Sequence, residues 1–533
     1  MSINENFSKE YGVKSKYRYV MSQAVRDAYK IIDDEEMMEP MVLSDDEGQP
    51  IGRIGDGDSA IFYNIRGERE IELTESLTDQ AFDKFPVKKM NLNFATMIEY
   101  RRGLNVRVAF PADGKITDTL SETISKAGKT QIKITEMEKA VHLGFFLNGK
   151  NGDPLSGEER IVVPTRKDVV LFDEAPEMSI DEIAEAVIEK VQDEKYDFVV
   201  TNFPNVDVLG HIENPEAIVE AVEVVDRNAG LVIEAALKEG MTVIVTADHG
   251  TVEKWYYADG VIDTGHTDSL VPFILLHGDR KPELRQGGGL TDIAPTILEL
   301  MGIAKPDAMT GRSLIGDGSF ETNHRLLLVI LDGWGFSEKE EGNLIAKART
   351  PVMDRWMKTS AFTTLKASGE AVGLPEGTVG NSEAGHLHIG AGRRIYSDSV
   401  RIRSAIEDGS FFENRAFLDV IRAAKENSAS LHLLGIVSFF SSHGSVDNLF
   451  RIMEIAKREG LKNVFIHSML GRRGEKPESG ALYIEKIEKK CEELQLGQVV
   501  SVIGRYWSMD REENWDRIEK TYRMLVYGAG NHI

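Results

Sequence analysis

The sequence predicts an α/β fold of two domains with mostly parallel sheets, and three observations predict it. Short apolar runs alternate along the chain with longer amphipathic segments, the pattern of strands joined by crossover helices. One set of apolar runs is followed by acids and histidines, a second set by cations. The two sets occupy different blocks of the sequence, so two α/β domains facing each other across a cleft are expected. In such sheets functional groups gather just past the carboxyl ends of the strands.

Taken in order, Ser22 to Asp34 and Ile180 to Glu194 read as helices, the second opened by Asp181 and Glu182 in its first turn. In the acid-and-histidine set, Asp197 to Phe203 leads to Asp207 and His211, Met241 to Ala247 leads to Asp248-His249-Gly250, and Arg325 to Leu331 leads to Asp332-Gly333-Trp334-Gly335. His266 stands just before a further strand, Leu270 to Leu276. Asp207 and His211 are four residues apart and share a side if the chain turns helically there. One Asp–His pair is as readily a capping carboxylate and a core histidine. Three such strand ends, with His266, point instead to metal ligands, and Asp with His but no Cys suits Mn²⁺ or Zn²⁺ better than Ca²⁺ or a cysteine-zinc site.

In the cationic set, Ser59 to Ile65 leads to Arg66 and Arg69, Gln131 to Thr135 to Lys139, Val464 to Leu470 to Arg472 and Arg473, and Val499 to Gly504 to Arg505 and Arg511. His443 follows Leu431 to Val437. Guanidinium forks grasp phosphate and carboxylate oxygens in pairs. Any one of these arginines is as readily a surface residue paired with a nearby acid, and it is their repeated position past strands that suggests a collective anion site.

Between these sets lies Val379-Gly380-Asn381-Ser382-Glu383-Ala384-Gly385-His386-Leu387-His388-Ile389-Gly390, read as a small-residue loop. Gly380 and Gly385 are expected to permit positive φ and close backbone approach around Ser382. A serine becomes a nucleophile only when a base or a metal activates it, which the acid-and-histidine set could supply.

Composition narrows the partners. With 533 residues, 41% hydrophobic and 28% charged, the chain is that of a soluble globular protein of about two to four domains. Its net charge, 63 cations against 87 acids, is −24, which disfavours nucleic acid or an anionic membrane as a partner of the overall field. A small anionic substrate remains compatible, provided cations are gathered locally. Cys491 is the only cysteine, so no intrachain disulfide is expected; there is no run of 18 apolar residues, and a cytoplasmic location is expected.

Several stretches carry a family resemblance: Leu331-Asp332-Gly333-Trp334-Gly335, Gly380-Asn381-Ser382-Glu383 with Gly385-His386-Leu387 and Ile389-Gly390-Ala391-Gly392-Arg393, Gly504-Arg505-Tyr506 with Met509-Asp510-Arg511, Thr246-Ala247-Asp248-His249-Gly250, and Met309-Thr310-Gly311-Arg312-Ser313-Leu314. On these the chain resembles the cofactor-independent (2,3-bisphosphoglycerate-independent) phosphoglycerate mutases of the alkaline phosphatase superfamily. The order of the motifs departs from the family, whose members begin at the Asp-Gly-Trp-Gly turn and end near the Met-Thr-Gly-Arg-Ser-Leu stretch. A circular permutation is therefore expected, with residues 315–324 as the linker between the family's usual ends. The resemblance implies a phosphatase-like, metal-binding domain over 113–396 and a transferase-like domain assembled from 1–112 and 397–533, with hinges near Phe110 to Lys115 and near Ser397 to Arg401.

The same resemblance implies two divalent ions, expected to be Mn²⁺: one held by Asp207, His211 and His266, the other by Asp332, Asp248, His249 and the nucleophile Ser382. It implies that Lys139 neutralises the transferring phosphoryl group, and that His443, Arg473, Arg505, Arg511, Arg66 and Arg69 grip the glycerate carboxylate and phosphate. The reaction implied is interconversion of 3-phosphoglycerate and 2-phosphoglycerate through a phosphoserine, by a monomer. Two departures stand out. Where the family reads Asp-Gly-Arg-Asp, this chain reads Gly471-Arg472-Arg473-Gly474, and its Ser-Asp-Gly-Gly-Val-His-Ser becomes Ser438-Phe439-Phe440-Ser441-Ser442-His443-Gly444. The second Asp of the first motif is the family's expected acid/base, whose loss at Gly474 would cost roughly a hundredfold or more. A phosphatase or another phosphotransferase on the same scaffold is the alternative reading, and Glu475 a candidate substitute.

Overall fold

Residues 19–533 are described by a computed structural model of the chain, apart from 33, 113, 170, 258–259, 279–280, 317–321, 323–324, 439–442 and 472–478. The chain divides into two units, residues 113–400 and residues 1–112 with 401–533. Each unit is built on its own sheet and has its own apolar core.

In the continuous unit the sheet has seven strands in the order Ala361–Lys366, Leu270–Leu276, Thr242–Thr246, Leu326–Leu331, Phe198–Phe203, Gln131–Glu136, Glu158–Val163. All neighbours are parallel except at Leu270–Leu276, which runs antiparallel to both of its partners. The central strand, Leu-Leu-Leu-Val-Ile-Leu, is buried along its whole length, as a strand covered on both faces must be. Helix Ile180–Gln192 buries Ile180, Ile183, Ala184, Val187 and Val191, an i, i+3, i+4, i+7, i+11 stripe. Each large aliphatic on that stripe contributes about 1.5–3 kcal/mol of burial. Helix Pro215–Lys238 starts where Pro215 can do without its N–H and where Asn214 accepts a hydrogen bond from Ala217 N.

Register then positions chemistry. Ile330 lies opposite both Asn202 and Thr246, and Leu331 opposite Phe203, so three strands finish level with one another. The residues that follow them, Asp332, Asp248 and the Asn205–Gly210 helix with Asp207, are therefore delivered to one end of the sheet. Gly333 is required here, with φ of 81° and a position at which a Cβ would come within 2.7 Å of Asp207 N.

The other unit has eight strands in the order Asn531–His532, Met41–Val42, Gln498–Gly504, Val464–Leu470, Leu431–Ile436, Ser59–Phe62, Asn93–Ile98, Arg107–Phe110. Only the pairing of Met41–Val42 with Gln498–Gly504 is antiparallel. The sheet joins segments from both ends of the chain: Leu431–Ile436 pairs with Ser59–Phe62, and Asn531–His532 with Met41–Val42.

Two expected elements are shorter than the sequence pattern suggests. The first helix spans Val20–Ala28 and not Ser22 to Asp34; Asp34 instead caps a short 3-10 turn, accepting from Glu36 N. The strand expected over Ser59 to Ile65 ends at Phe62, because the Asn64 side chain replaces the ladder and accepts the N–H of Ile436. Among the described residues no helix is long and apolar enough to cross a membrane.

The buried clusters of the two units share no residue, and the core of the continuous unit draws only on positions between Leu120 and Ile389. Residues 113–400 expressed alone are accordingly expected to fold, with one cooperative thermal transition and native-like far-UV circular dichroism. A piece that melts without cooperativity would contradict an autonomous core.

Candidate active site

Ser382 is the first residue of a helix, Ser382–Ala391, and does not sit in the loop read from the sequence. Asn381 provides the start: its side chain accepts from Ala384 N at 2.8 Å while its own backbone stays extended. Gly380 and Gly385 both lack positive φ, contrary to expectation. The close approach expected of them is present: a Cβ on Gly380 would lie 2.3 Å from Ala367 O, and one on Gly385 2.6 Å from Asp248 O. Glycine here lets the helix lie directly against the strand ends that carry the acids.

Around the Ser382 hydroxyl the structure gathers groups from four separate segments. Lys139 Nζ donates to Ser382 Oγ at 2.8 Å, Ser382 Oγ donates to Asp332 Oδ1 at 3.1 Å, and His249 Nε2 is 3.0 Å from Ser382 Oγ. Lys139 also reaches Asp207 Oδ2 at 2.6 Å and Asp332 Oδ1 at 3.1 Å. Asp207 Oδ1 faces three imidazoles, His266 at 3.1 Å, His211 at 3.5 Å and His249 at 3.6 Å. Asp207, Asp248, Asp332, His249, Lys139 and Ser382 are all buried, His266 is half-buried and His211 exposed.

Three buried carboxylates outnumber the cations buried among them, Lys139 and the His249 ring, so the pocket carries an excess of negative charge. Burial works against the charge on Lys139, yet Asp332, Asp207 and Asp248 together raise its pKa above the ordinary value. Burial likewise opposes the charge on His249, and the same carboxylates still raise it to about 10. Asp332 and Asp207 are held well below the usual carboxylate range, against their burial, chiefly by the Lys139 charge. A field of this sign favours a cation.

The donor set fits a divalent metal. Asp207, His211 and His266 offer ligand atoms within 4.8 Å of one another, as do Asp207, His249 and Asp332, and Asp248, Asp332 and His386. Asp207 Oδ1 and Asp248 Oδ2 are buried without a hydrogen bond, an expensive condition that an ion would relieve. Carboxylate and imidazole without thiolate is the ligand chemistry of Mn²⁺ and Zn²⁺.

The structure thus brings together Ser382, Lys139, Asp207, His211, His266, Asp248, His249 and Asp332. Lys139 corrects the sequence grouping, which placed its strand with the cationic set. Gln131–Glu136 belongs to the same sheet as the acid-bearing strands, and the short turn Met137–Lys139 at its end swings the ammonium into them. Two residues missed in the sequence also belong here, Asn202 and His386. Asn202 Nδ2 lies 2.7 Å from Asp332 Oδ2 and 3.1 Å from His386 Nε2. The four-residue spacing from Ser382, the same one that linked Asp207 to His211, was the signal for His386.

The remaining expected residues lie in the other unit. Arg66 Nε is 3.0 Å and Arg511 Nη1 3.2 Å from Glu68 Oε1, and Arg69 Nη1 donates to Met509 O at 3.1 Å. Arg505 Nη1 lies 4.0 Å from Glu36 Oε1. His443 is buried, with Nδ1 3.8 Å from Glu70 Oε1. Arg66, Arg69 and Arg511 therefore converge around Glu68 and Met509. Arg473, Gly474 and Glu475 lie outside the described residues.

A profile described as the metalloenzyme superfamily matches residues 40–305, and one described as the N-terminus of BPG-independent phosphoglycerate mutase matches 402–533. Relatives named 2,3-bisphosphoglycerate-independent phosphoglycerate mutase include one from Clostridium botulinum strain Langeland, 42% identical over 53% of this chain and 55% of its own. Another, from Lachnoclostridium phytofermentans, is 48% identical over 38% of this chain and 40% of its own. A solved structure of Leishmania mexicana phosphoglycerate mutase at low cobalt concentration is 28% identical over 51% of this chain and 53% of its own, with a TM-score of 0.38. The chain spans about half the length of the curated relatives it matches. Two profiles that between them reach both units, and relatives at about this level of identity, place the chain in the family of 2,3-bisphosphoglycerate-independent phosphoglycerate mutases within the metalloenzyme superfamily.

Proposed function

We propose that the chain interconverts 3-phosphoglycerate and 2-phosphoglycerate through a phosphoserine at Ser382. The observation that carries the reading is the Ser382 hydroxyl itself, buried at a helix start and contacted at once by Lys139, Asp332 and His249. Two divalent ions, Mn²⁺ in this reading, would be held by Asp207, His211 and His266 and by Asp332, Asp248, His249 and Ser382; when bound they supply the charge that activates a serine hydroxyl and neutralises phosphoryl oxygens. Ser382 Oγ attacks the phosphorus of the substrate, the bond to the C3 oxygen of glycerate breaks, and the proton that Ser382 loses ends on that oxygen, leaving free glycerate. Lys139, already donating to Ser382 Oγ, offsets the charge on the phosphoryl oxygens as they spread in the transition state. Asp332 takes up the direction of the serine O–H and fixes the oxygen lone pairs toward the incoming phosphorus. The C2 hydroxyl of glycerate then attacks the phosphoserine, the bond from phosphorus to Ser382 Oγ breaks, and the proton of the C2 hydroxyl returns to Ser382. Arg66, Arg69, Arg505, Arg511, Arg473 and His443 grip the carboxylate and phosphate in this reading.

We infer also that the chain is circularly permuted, with 113–396 as the phosphatase-like domain and 1–112 with 397–533 as the transferase-like one. In support, the profile described as a family N-terminus falls at residues 402–533, after the metalloenzyme match over 40–305. Matches that stop at about half of both sequences are what a collinear comparison of permuted chains returns.

Ser382→Ala is expected to abolish the phosphoenzyme and to lower turnover by on the order of 10³ or more, while the protein keeps its thermal transition. Phosphate found by mass spectrometry on another residue would exclude Ser382. Stripping metal with a chelator is expected to remove activity, and Mn²⁺ to restore it better than Mg²⁺, because three imidazoles suit a borderline cation. Full activity in demonstrably metal-free protein would contradict the ligand assignment. Phosphorus NMR of the Mn²⁺-loaded protein with 3-phosphoglycerate tests the reaction as a whole. The expected product is 2-phosphoglycerate, formed faster when Gly474→Asp restores the carboxylate; free phosphate without 2-phosphoglycerate would make the chain a phosphatase.

A further inference from the structure

His386 has no assigned part in the chemistry above, yet it sits one helical turn from Ser382 and is fully buried. Its surroundings decide which ring nitrogen donates. The amide atom of Asn202 that lies 2.7 Å from Asp332 Oδ2 has to be nitrogen, because a carbonyl oxygen would repel the carboxylate. The second N–H of that nitrogen is directed at His386 Nε2, 3.1 Å away, so Nε2 accepts. The ring proton is then on Nδ1, where it donates to the carbonyl oxygen of Ser382 at 2.9 Å. Nδ1 is also 3.2 Å from Asp248 Oδ2. Both ring nitrogens of His386 are thus engaged, Nδ1 as donor and Nε2 as acceptor, so its one in-plane lone pair is taken by Asn202 and, of the ligand atoms grouped above, that of His386 is not available to an ion.

The contacts form a single strut. It runs from the Ser382 carbonyl through His386 Nδ1–H, from His386 Nε2 to Asn202 Nδ2, and from Asn202 to Asp332 Oδ2. Its two ends are the two partners of the Ser382 Oγ–Asp332 Oδ1 contact. Fixing Oδ2 from behind leaves Oδ1 turned toward the serine hydroxyl and Lys139. Two local features make the strut possible. Asn202 lies in the strand paired in register with Leu326–Leu331, which Asp332 directly follows, and Gly385 lets the helix approach so closely that a Cβ there would be 2.7 Å from Asp248 Cβ.

We propose that His386, acting through Asn202, is a positioning residue that orients the Asp332 carboxylate toward both the nucleophile and the cation held by Asp332, Asp248 and His249. The assignment rests on the metal-binding reading above. Groups that orient ligand carboxylates typically set metal affinity by about 10–100-fold. Its removal should therefore weaken one cation more than the other, which general loss of packing would not do.

The test is Mn²⁺ binding to metal-stripped protein, followed by calorimetry. His386→Phe keeps a ring but neither nitrogen, and is expected to weaken one of the two binding steps about 10–100-fold while leaving the other, at Asp207, His211 and His266, close to wild type. His386→Gln places an amide oxygen near the position of Nε2, where it can accept from Asn202, and is expected to recover most of the lost affinity. If His386→Phe does not accumulate as folded protein, Asn202→Leu removes the same link and is expected to weaken the same step. Unchanged binding in His386→Phe or in Asn202→Leu would overturn the assignment. Equal weakening of both steps, or a Gln variant no tighter than Phe, would overturn it too. Wild-type protein that binds no Mn²⁺ would overturn the metal-binding reading together with this one, and is told apart because the wild type itself is then silent.

Discussion

The contact on which the site depends is the buried ammonium of Lys139 among Asp207, Asp332 and the Ser382 hydroxyl. Three carboxylates taken out of water within a few ångströms of one another repel strongly, and without a cation at their centre this end of the sheet would be driven apart or would take up protons. Lys139 supplies one positive charge, and two carboxylate oxygens are still left without hydrogen bonds. The pocket thus has room for more positive charge than the protein provides, which favours a cation there; an anionic phosphoryl group could be held only once such a cation is in place. The same ammonium touches the Ser382 hydroxyl, so the group that balances the carboxylates is also in contact with the proposed nucleophile.

Everything nearby serves to hold that arrangement. Parallel strands ending at one level deliver Asp332 and Asp248, and a short helix after a third strand delivers Asp207. Glycines at 333 and 385 remove the Cβ atoms that would keep these backbones apart. Ser382 stands at a helix N-terminus, where free N–H groups and the helix dipole favour an anion, a setting that suits the phosphoserine proposed above. In the other unit the same rule of strand ends applies, with arginines gathered in place of acids, and there the cations are paired with Glu68 and Glu36. An anionic ligand would have to compete with those carboxylates, which makes the pairs exchangeable partners rather than supports of the fold.

The sequence by itself determined the α/β class, the strands that carry functional groups, and most of the groups themselves. Runs such as Leu326–Leu331 are too uniformly apolar to lie anywhere except inside a sheet, and the residues after them can only emerge at its carboxyl end. Asp207, Asp248, His249 and Asp332 were legible for that reason. The tertiary structure decided what depends on register and on side chains from distant segments. Lys139 could not be assigned to its carboxylates from sequence, because the pairing of Gln131–Glu136 with Phe198–Phe203 is a matter of strand order. Ser382 read as a loop residue because glycines at 380 and 385 suggest a turn. Their actual role, close packing of a helix on Asp248 and its neighbours, exists only once the sheet is assembled. Asn202 was invisible for the same reason, and for His386 the four-residue spacing from Ser382 marked only a shared side of the chain: the 2.7–3.1 Å contacts that link both to Asp332 join residues 130 and 184 positions apart, which no local pattern encodes.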